Sequence, residues 1–135
     1  MVKAFELDAR LRTDSFLIAN IGLCQLRLMN DSRWPWLILV PQRADITETF
    51  ELAPLDQAML TFETNLVAEA LKRSKAAEKI NIGAIGNIVR QLHVHIIARY
   101  ENDANWPKPV WGFGERQTYG EQEKTAFAKL ILEAI

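Results

Sequence analysis

The stretch at residues 91–97 constrains this chain most, because it alternates polar and apolar side chains and contains both histidines, His93 and His95. Side chains along a β-strand point alternately to opposite faces of the sheet. A strand here therefore has an apolar face with Leu92, Val94 and Ile96, and a polar face with Gln91, His93 and His95. The two histidines would then lie roughly 6–7 Å apart at their Cα atoms, close enough to act on one ligand.

Two imidazoles at this spacing can hold an anion, bind a metal ion, or act as nucleophile and helper on one substrate. A half-exposed pair without a chemical role is the simplest alternative. Zinc takes three or four ligands, whereas the chain has no third histidine, and its one cysteine, Cys24, is far away in sequence. We therefore predict no metal site, and keep a metal-dependent hydrolase that uses the His-x-His pair as an alternative.

Short apolar runs separated by polar turns predict a sheet. Residues 36–40 are almost entirely apolar, as expected for a central strand that is covered on both faces. Further strands are predicted at residues 16–19, 23–28, 79–84 and 92–100. Gly86 and Asn87 separate the last two of these strands, which favours a hairpin at that point.

Three helices are predicted: a short one at residues 7–12, a long one from Pro54 to about Arg73, and a C-terminal one at residues 120–135. Proline suits the first turn of a helix, because the missing N–H has no partner there. Helical spacing predicts that the long helix packs on the core through Leu55, Met59, Phe62, Leu66 and Ala70. The C-terminal helix should do so through Phe127, Leu130, Ile131 and Ala134. This order of elements predicts an α+β fold on an antiparallel sheet.

Composition narrows the class of protein further. The chain has 135 residues, of which 49% are apolar and 24% charged, with a net charge of −1. We expect one domain over residues 1–135, without nucleic-acid or membrane partners. One cysteine excludes an internal disulfide and fits a reducing cytoplasm. We expect no signal peptide and therefore a cytoplasmic location.

Residues 91–97 resemble the signature of the histidine-triad (HIT) superfamily, His-φ-His-φ-His-φ-φ, in which φ is apolar. Gln91 stands where the first histidine would be, His93 matches the middle one and His95 the third. The Gly-rich run at residues 81–87 and the apolar strand that ends in Pro41 are similar to segments that precede the motif in the family. The resemblance spans most of residues 14–100. It implies a HIT-like sheet of five to six strands, one long helix, and usually a two-fold dimer.

The resemblance also implies roles for the residues of the motif. His93 would attack the α-phosphate of a nucleotide substrate and form a nucleotidyl-histidine, and His95 would bind the same phosphate. Gln91 can donate and accept hydrogen bonds but cannot become a cation near neutral pH. Since glutamine and histidine are both polar and are expected to face the site, we expect Gln91→His to leave the activity level or raise it.

Substrate-binding residues follow from the same resemblance. Asn81 would contact the ribose or phosphate region, and Gly86, Asn87 and Ile88 would line the phosphate turn. Asn30 or Asp31 would hold the ribose hydroxyls, or only form a turn. Trp111 lies in a segment at residues 106–112 that is rich in Trp and Pro, and it would stack on the base, cover the site or pack at a subunit interface.

The function implied is that of a HIT-type hydrolase or transferase acting on a nucleotide conjugate, such as a phosphoramidate or a dinucleoside polyphosphate. A nucleotide-binding module with little catalysis is the second alternative, beside the metal-dependent hydrolase. No cofactor is expected to be required, although a divalent cation can accompany a polyphosphate substrate. The expected partners are a small nucleotide substrate and a second copy of the chain.

Overall fold

A five-stranded antiparallel sheet forms the centre of the computed structural model, which describes residues 3–135 and therefore all but the first two positions of the expected domain. The strands are β1 (Ser15–Asn20), β2 (Cys24–Met29), β3 (Trp36–Pro41), β4 (Lys79–Gly83) and β5 (Val94–Arg99). Their order across the sheet is β1-β2-β3-β5-β4. The α+β fold predicted from the sequence is confirmed.

Three helices accompany the sheet: α1 (Ala9–Asp14), α2 (Pro54–Ser74) and α3 (Glu121–Ala134). A short 3-10 turn, Thr49–Glu51, precedes α2. Proline occupies the first turn of α2, as the sequence predicts. Lys72 and Arg73 lie in its last turn, where the helix dipole favours cations. None of the helices within residues 3–135 is both long and apolar enough to cross a membrane.

The sheet is covered on both faces. Leu26, Leu28, Leu37, Leu39, Val94 and Ile96 belong to the core on one face, which is closed by α2 and α3. Trp36, Ile38, Val40 and Ile97 belong to a second core on the other face, together with Leu11 of α1, Trp34 and Val110. Because successive side chains alternate, His93 and His95 lie on this second face. The predicted burial of Leu92, Val94 and Ile96 opposite the histidines is confirmed.

The predicted core stripe of α2 is wrong. Leu55, Met59, Phe62 and Leu66 are exposed, with Leu55 at 86% and Phe62 at 62%. The helix instead buries Leu60, Glu63, Val67, Ala70 and Leu71, so of the predicted residues only Ala70 packs inside. Two apolar stripes run along α2. The buried stripe contains a glutamate, so a search for apolar residues at helical spacing does not detect it.

Glu63 is buried because it binds main-chain donors. Its carboxylate accepts from the N–H groups of Leu23 and Cys24 at 2.8 and 3.0 Å, where the chain turns from β1 into β2. The turn passes through Gly22 with φ +121, and a Cβ on that residue would lie 2.7 Å from Glu63 Oε2. Burying a carboxylate is tolerated when its oxygens are hydrogen-bonded in this way.

Two smaller predictions need correction. Of the face predicted for α3, Phe127 and Ile131 are buried, whereas Leu130 is exposed. β4 and β5 are antiparallel neighbours as predicted, but residues 84–93 connect them, so Gly86 and Asn87 lie in a long loop rather than in a two-residue hairpin.

Candidate active site

The register of β5 places the histidine pair near the middle of the sheet. His95 is opposite Ile38 of β3 on one side and Gly83 of β4 on the other. His93 comes just before β5 begins, on the same face. The centroids of the two imidazole rings are 4.8 Å apart, and both residues are almost completely buried. The two rings can therefore reach one small group at the same time.

The ring of His93 is fixed by its own neighbour. Its Nδ1 lies 2.7 Å from the main-chain carbonyl oxygen of Gln91. A carbonyl oxygen can only accept a hydrogen bond, so Nδ1 carries the proton in this contact. The lone pair of the neutral ring is then on Nε2. His93 thus has the tautomer that an imidazole nucleophile requires.

The ring of His95 has the opposite tautomer. The indole Nε1–H of Trp36 can only donate, and it lies 2.9 Å from Nδ1 of His95. Nδ1 therefore accepts, and the proton of the neutral ring is on Nε2. The pair consequently combines a free lone pair on His93 with a ring N–H donor on His95.

Burial keeps both imidazoles neutral. Burial, with a smaller contribution from the neighbouring His93, lowers the pKa of His95 to about 3. Burial also lowers the pKa of His93, although the hydrogen bond to Gln91 and the charge of Asp8 oppose that shift. A neutral His93 can attack an electrophile, and a neutral His95 can still donate a hydrogen bond.

A cavity of about 480 Å³ opens in front of the two rings. Met29, Val110, Trp111 and Phe113 supply apolar walls, and Asp14, Asp31, Arg33 and Arg116 supply charged ones. The charged groups pair with each other: Arg33 contacts Asp31 at 2.7 Å, and Arg116 contacts Asp14 at 3.2 Å. A cavity with apolar walls and a few convergent polar groups is typical of a small-molecule site.

Trp111 forms one wall of this cavity. Its ring is 5.3 Å from that of His95 and 6.4 Å from that of Trp36, both edge to face. A Cβ on Gly83 would lie 3.2 Å from the Trp111 ring, so the missing side chain on β4 makes room for the indole. The Trp111 Nε1–H is buried and has no hydrogen-bond partner among residues 3–135.

Three predicted residues of the phosphate turn line the cavity: Gly86, Asn87 and Ile88. Gly86 has φ +67, a conformation that favours glycine. A Cβ on it would find no atom closer than 3.5 Å, so the backbone angle and not space requires glycine there. Ile88 is 79% exposed.

Asn30 and Asp31 occupy different places. Asp31 lines the cavity, and its buried carboxylate already binds the guanidinium of Arg33. Although burial raises the pKa of Asp31, the hydrogen bonds from Arg33 outweigh it and lower the pKa overall. The side-chain oxygen of Asn30 accepts from the main-chain N–H of Tyr119 at 2.9 Å, so Asn30 anchors the chain ahead of α3.

Asn81 and Gln91 point to partners outside the cavity. Asn81 accepts a hydrogen bond from the guanidinium of Arg99 at 2.9 Å. The side-chain amide of Gln91 bonds to the main chain of Glu6 and of Asp8. The expectation that the Gln91 side chain faces the substrate is therefore corrected, while its carbonyl oxygen holds His93.

Sequence reasoning missed four residues of this site: Trp36, Arg33, Phe113 and Arg116. Trp36 was interpreted as a residue of an apolar strand, and its contact with His95 depends on the pairing of β3 with β5, which are separated by a helix and a strand. Arg33 lies over the Trp34 ring, with its guanidinium carbon 4.4 Å from the centroid. The position of Arg33, two residues after Asp31, was the one local signal in the sequence that could have indicated this ion pair.

The fold and the site together define a protein with a buried histidine pair on an antiparallel sheet. Comparison with protein families gives a match to the HIT domain over residues 10–102. The chain belongs to the HIT domain family. A search of curated proteins gave no match.

Solved structures similar to this chain are also histidine-triad proteins. One from Sinorhizobium meliloti is 68% identical with a TM-score of 0.96, and the alignment covers 97% of each chain. One from Bradyrhizobium japonicum is 40% identical with a TM-score of 0.96, covering 98% of this chain and 99% of that one. A Sulfolobus tokodaii protein, described as a hypothetical histidine triad nucleotide-binding protein, is 18% identical with a TM-score of 0.69, covering 93% and 86%. That last likeness concerns the fold alone.

Proposed function

We propose that this protein is a nucleotide-binding hydrolase or transferase that acts on the α-phosphate of a nucleotide conjugate, such as a phosphoramidate or a dinucleoside polyphosphate. The observation that carries the proposal is the hydrogen bond between His93 Nδ1 and the carbonyl oxygen of Gln91, at 2.7 Å. It leaves the Nε2 lone pair of a neutral imidazole available to the cavity. Membership of the HIT domain family supports the same reaction class.

The chemical step is a displacement at phosphorus. The Nε2 lone pair of His93 forms a bond to the α-phosphorus, while the bond from phosphorus to the leaving oxygen or nitrogen breaks and its electron pair departs with the leaving group. A phosphate leaves as an anion, and an amine takes a proton from solvent. The ring of the resulting nucleotidyl-histidine is cationic, and its Nδ1–H bond to Gln91 becomes a stronger, charge-assisted one.

The second step returns His93 to its starting state. Water, or another acceptor in a transferase, attacks the same phosphorus, loses a proton to solvent, and releases the nucleotide as the bond to Nε2 breaks. In both steps the Nε2–H of His95 donates to a non-bridging phosphate oxygen, where negative charge grows. His93 and His95 thus have separate roles, which the two opposite tautomers support.

The substrate itself would occupy the cavity beside the pair. Phe113, Met29 and Trp111 provide apolar surface for a base. The turn at residues 86–88 would carry the phosphates. No cofactor is part of this proposal, and a divalent cation would accompany only a polyphosphate substrate.

Two alternatives have less support. A metal-dependent hydrolase needs further ligands, and residues 3–135 contain no group of three or more His, Cys, Asp or Glu side chains placed to hold a metal ion. A binding module without turnover would not need His93 in the tautomer that attacks. The chelator sensitivity of the reaction and the turnover of a nucleoside phosphoramidate separate these alternatives from the proposal.

The test is a pair of substitutions, His93→Asn and His95→Asn, assayed with an amide of a nucleoside monophosphate. His93→Asn should bind the nucleotide but lose turnover, because the nucleophile is gone. His95→Asn should lose about 2–4 kcal/mol of transition-state stabilisation, the scale for one oxyanion donor. Mass spectrometry of slow-turnover samples should find the nucleotidyl group on the peptide with residue 93. Near-normal hydrolysis by His93→Asn would rule out the covalent mechanism.

A further inference from the structure

Gln91 is bonded through its side chain to the N-terminal segment, defined here as residues 6–10. Oε1 accepts from the main-chain N–H of Asp8 at 2.8 Å, and Nε2 donates to the main-chain carbonyl of Glu6 at 2.8 Å. Both polar atoms of the amide are therefore hydrogen-bonded to main-chain groups, as the peptide groups of a neighbouring strand would be. The segment lies mainly ahead of residue 10, where the match to the HIT domain begins.

Arg10 makes a second attachment, between this segment and the loop at residues 84–93 that connects β4 to β5. Its guanidinium donates to the main-chain carbonyl of Ile88 at 3.0 Å and to the carboxylate of Asp8 at 3.2 Å. Asp8 in turn caps α1 by accepting from the main-chain N–H of Arg10 at 2.8 Å. Residues 88 and 91 of one loop are thus tied to one short stretch of chain.

Apolar side chains in and next to the segment anchor it to the second core. Phe5 and Leu7 pack against the second core, which contains Leu11 and Val40. The segment is therefore fixed to the body of the protein independently of Gln91. It can therefore hold the loop in place, rather than depend on the loop for its own position.

The loop needs such a support at residue 91. β5 begins at Val94, so the sheet ladder does not hold the carbonyl of Gln91. One main-chain bond, from the N–H of Leu92 to the carbonyl of Ile46 at 2.9 Å, holds the peptide unit that also carries the Gln91 carbonyl. Yet this carbonyl sets the tautomer and direction of His93. Its position depends on that one main-chain bond and on the two bonds that fix the side chain of Gln91.

We propose that Gln91 is a positioning residue: through its side chain, the N-terminal segment holds the Gln91 carbonyl in the place from which it orients His93 for attack. The proposal rests on the function proposed above. It assigns a role to residues 6–10, of which residues 6–9 lie outside the HIT match. It also changes the expectation for Gln91→His.

A histidine at position 91 could not replace the amide. The amide presents its acceptor and its donor side by side at one end of the side chain, facing Asp8 and Glu6. The two nitrogens of an imidazole point in widely different directions, so one ring cannot make both bonds. Gln91→His should therefore lower the activity, contrary to the expectation from the sequence.

The experiment compares Gln91→Met with Gln57→Met in the full chain. Methionine keeps the length of the side chain and removes both bonds. Gln57 is a matched control, because its amide also donates to a main-chain carbonyl, that of Leu52 at 2.8 Å, at the start of α2. We expect kcat for the nucleoside phosphoramidate to fall about tenfold or more in Gln91→Met, as when a reacting group is misplaced, with KM within about threefold. Gln57→Met should retain the kcat of the wild type.

Histidine ring ¹⁵N spectra give a readout that does not need turnover. The chain has two histidines, so few ring signals are present. In the wild type, His93 should show one tautomer with Nδ1 protonated, and in Gln91→Met a mixture. Hydrogen exchange at the Asp8 amide should quicken in the same variant. If Gln91→Met does not fold, Arg10→Met removes the second attachment and should show the same changes to a smaller extent.

Two results would overturn the proposal. One is a Gln91→Met protein that keeps the wild-type kcat and a single His93 tautomer, and the other is a loss confined to KM. If the wild type turns over no nucleotide conjugate, the proposed function fails, whereas the tautomer and the amide exchange still decide whether the segment orients His93. The two failures are therefore distinct.

Discussion

At the scale of single residues, the two histidines differ in what holds them. His93 donates to a carbonyl, and His95 accepts from an indole. Both are buried, and burial is the largest cause of the lowered pKa of each ring. The same environment that makes a neutral nucleophile also makes protonation costly for the folded protein.

The stability of the protein should therefore fall as the pH falls below the pKa of an ordinary histidine, about 6.5. The unfolded chain binds a proton at His95 with a pKa near 6.5, whereas the folded chain does so only at about 3. Between these values the unfolded state holds more protons, so stability rises with pH. The slope should approach about 1.4 kcal/mol per pH unit for this one group.

Urea unfolding at several pH values between 5 and 7.5 measures this slope. His95→Asn should reduce it, because asparagine offers Trp36 an acceptor but does not titrate, while His93, whose pKa is also lowered, still contributes to the slope. Carboxylates such as Asp31 add a similar slope at lower pH, since their pKa is also lowered, so the comparison with His95→Asn is made above pH 5. An equal slope in the wild type and in His95→Asn over that range would contradict the assignment.

At the scale of elements, α2 carries two apolar faces, and only one of them is covered. The outer face has Leu55, Met59, Phe62 and Leu66, and exposed apolar patches of this kind mark interaction sites. Two of the tryptophans cannot supply a subunit interface, because Trp34 and Trp36 are buried inside the chain. The expected homodimer therefore has a better candidate surface on α2 than on the tryptophans.

A homodimer through this face should be broken by a charge at its centre. Phe62→Glu places a carboxylate where the partner helix would pack. It should give a monomer in sedimentation at micromolar concentration, where we expect the wild type to be a dimer. Leu132→Glu is a suitable control, because Leu132 is exposed to 44% on α3. A monomeric wild type, or a dimer that survives Phe62→Glu, would contradict the prediction.

At the scale of the whole molecule, the face of the sheet with the histidines is covered by chain from both ends. The N-terminal segment holds Gln91, and residues 101–120, which form no helix or strand, supply Val110, Trp111 and Phe113 to the cavity. The opposite face is closed by α2 and α3 in the ordinary way. The wall that Val110, Trp111 and Phe113 give to the cavity thus depends on residues 101–120 being fixed in place.

Local pattern was sufficient to predict the strands, the helices and the histidine pair. Alternation predicts the directions of the side chains at residues 92–96 but not that of Gln91, and the apolar run at residues 36–40 predicts a central strand. The outer stripe of α2 was mistaken for the inner one, because the buried Glu63 satisfies its carboxylate with amides from a distant turn. The partners of Gln91 and His95 were not predictable, since each bond joins residues that are far apart in the chain.

Residues 101–120 are fixed at their beginning by a buried ion pair. The guanidinium of Arg99, at the end of β5, lies 2.7 Å from the carboxylate of Asp103, and both side chains are almost fully buried. Arg99 also donates to Asn81, and its guanidinium carbon lies 5.5 Å from the centroid of a Trp106 ring. Burial raises the pKa of Asp103, but the bonds from Arg99 outweigh it and lower the pKa overall.

Replacing Asp103 by asparagine should therefore weaken both the fold and the site. The change leaves the buried cation of Arg99 without its counter-charge, for which a loss of about 3–5 kcal/mol is typical. Because the segment that follows carries Trp111 and Phe113, its loosening should also reduce nucleotide affinity in a protein that is still folded.

Asp45→Asn, which breaks an exposed pair with Lys3, should change neither the stability nor the nucleotide affinity measurably. Thermal unfolding and nucleotide titration of both variants make the comparison. A stable Asp103→Asn protein with unchanged affinity would mean that the apolar contacts of Val110 and Trp111 alone hold the segment over the histidines.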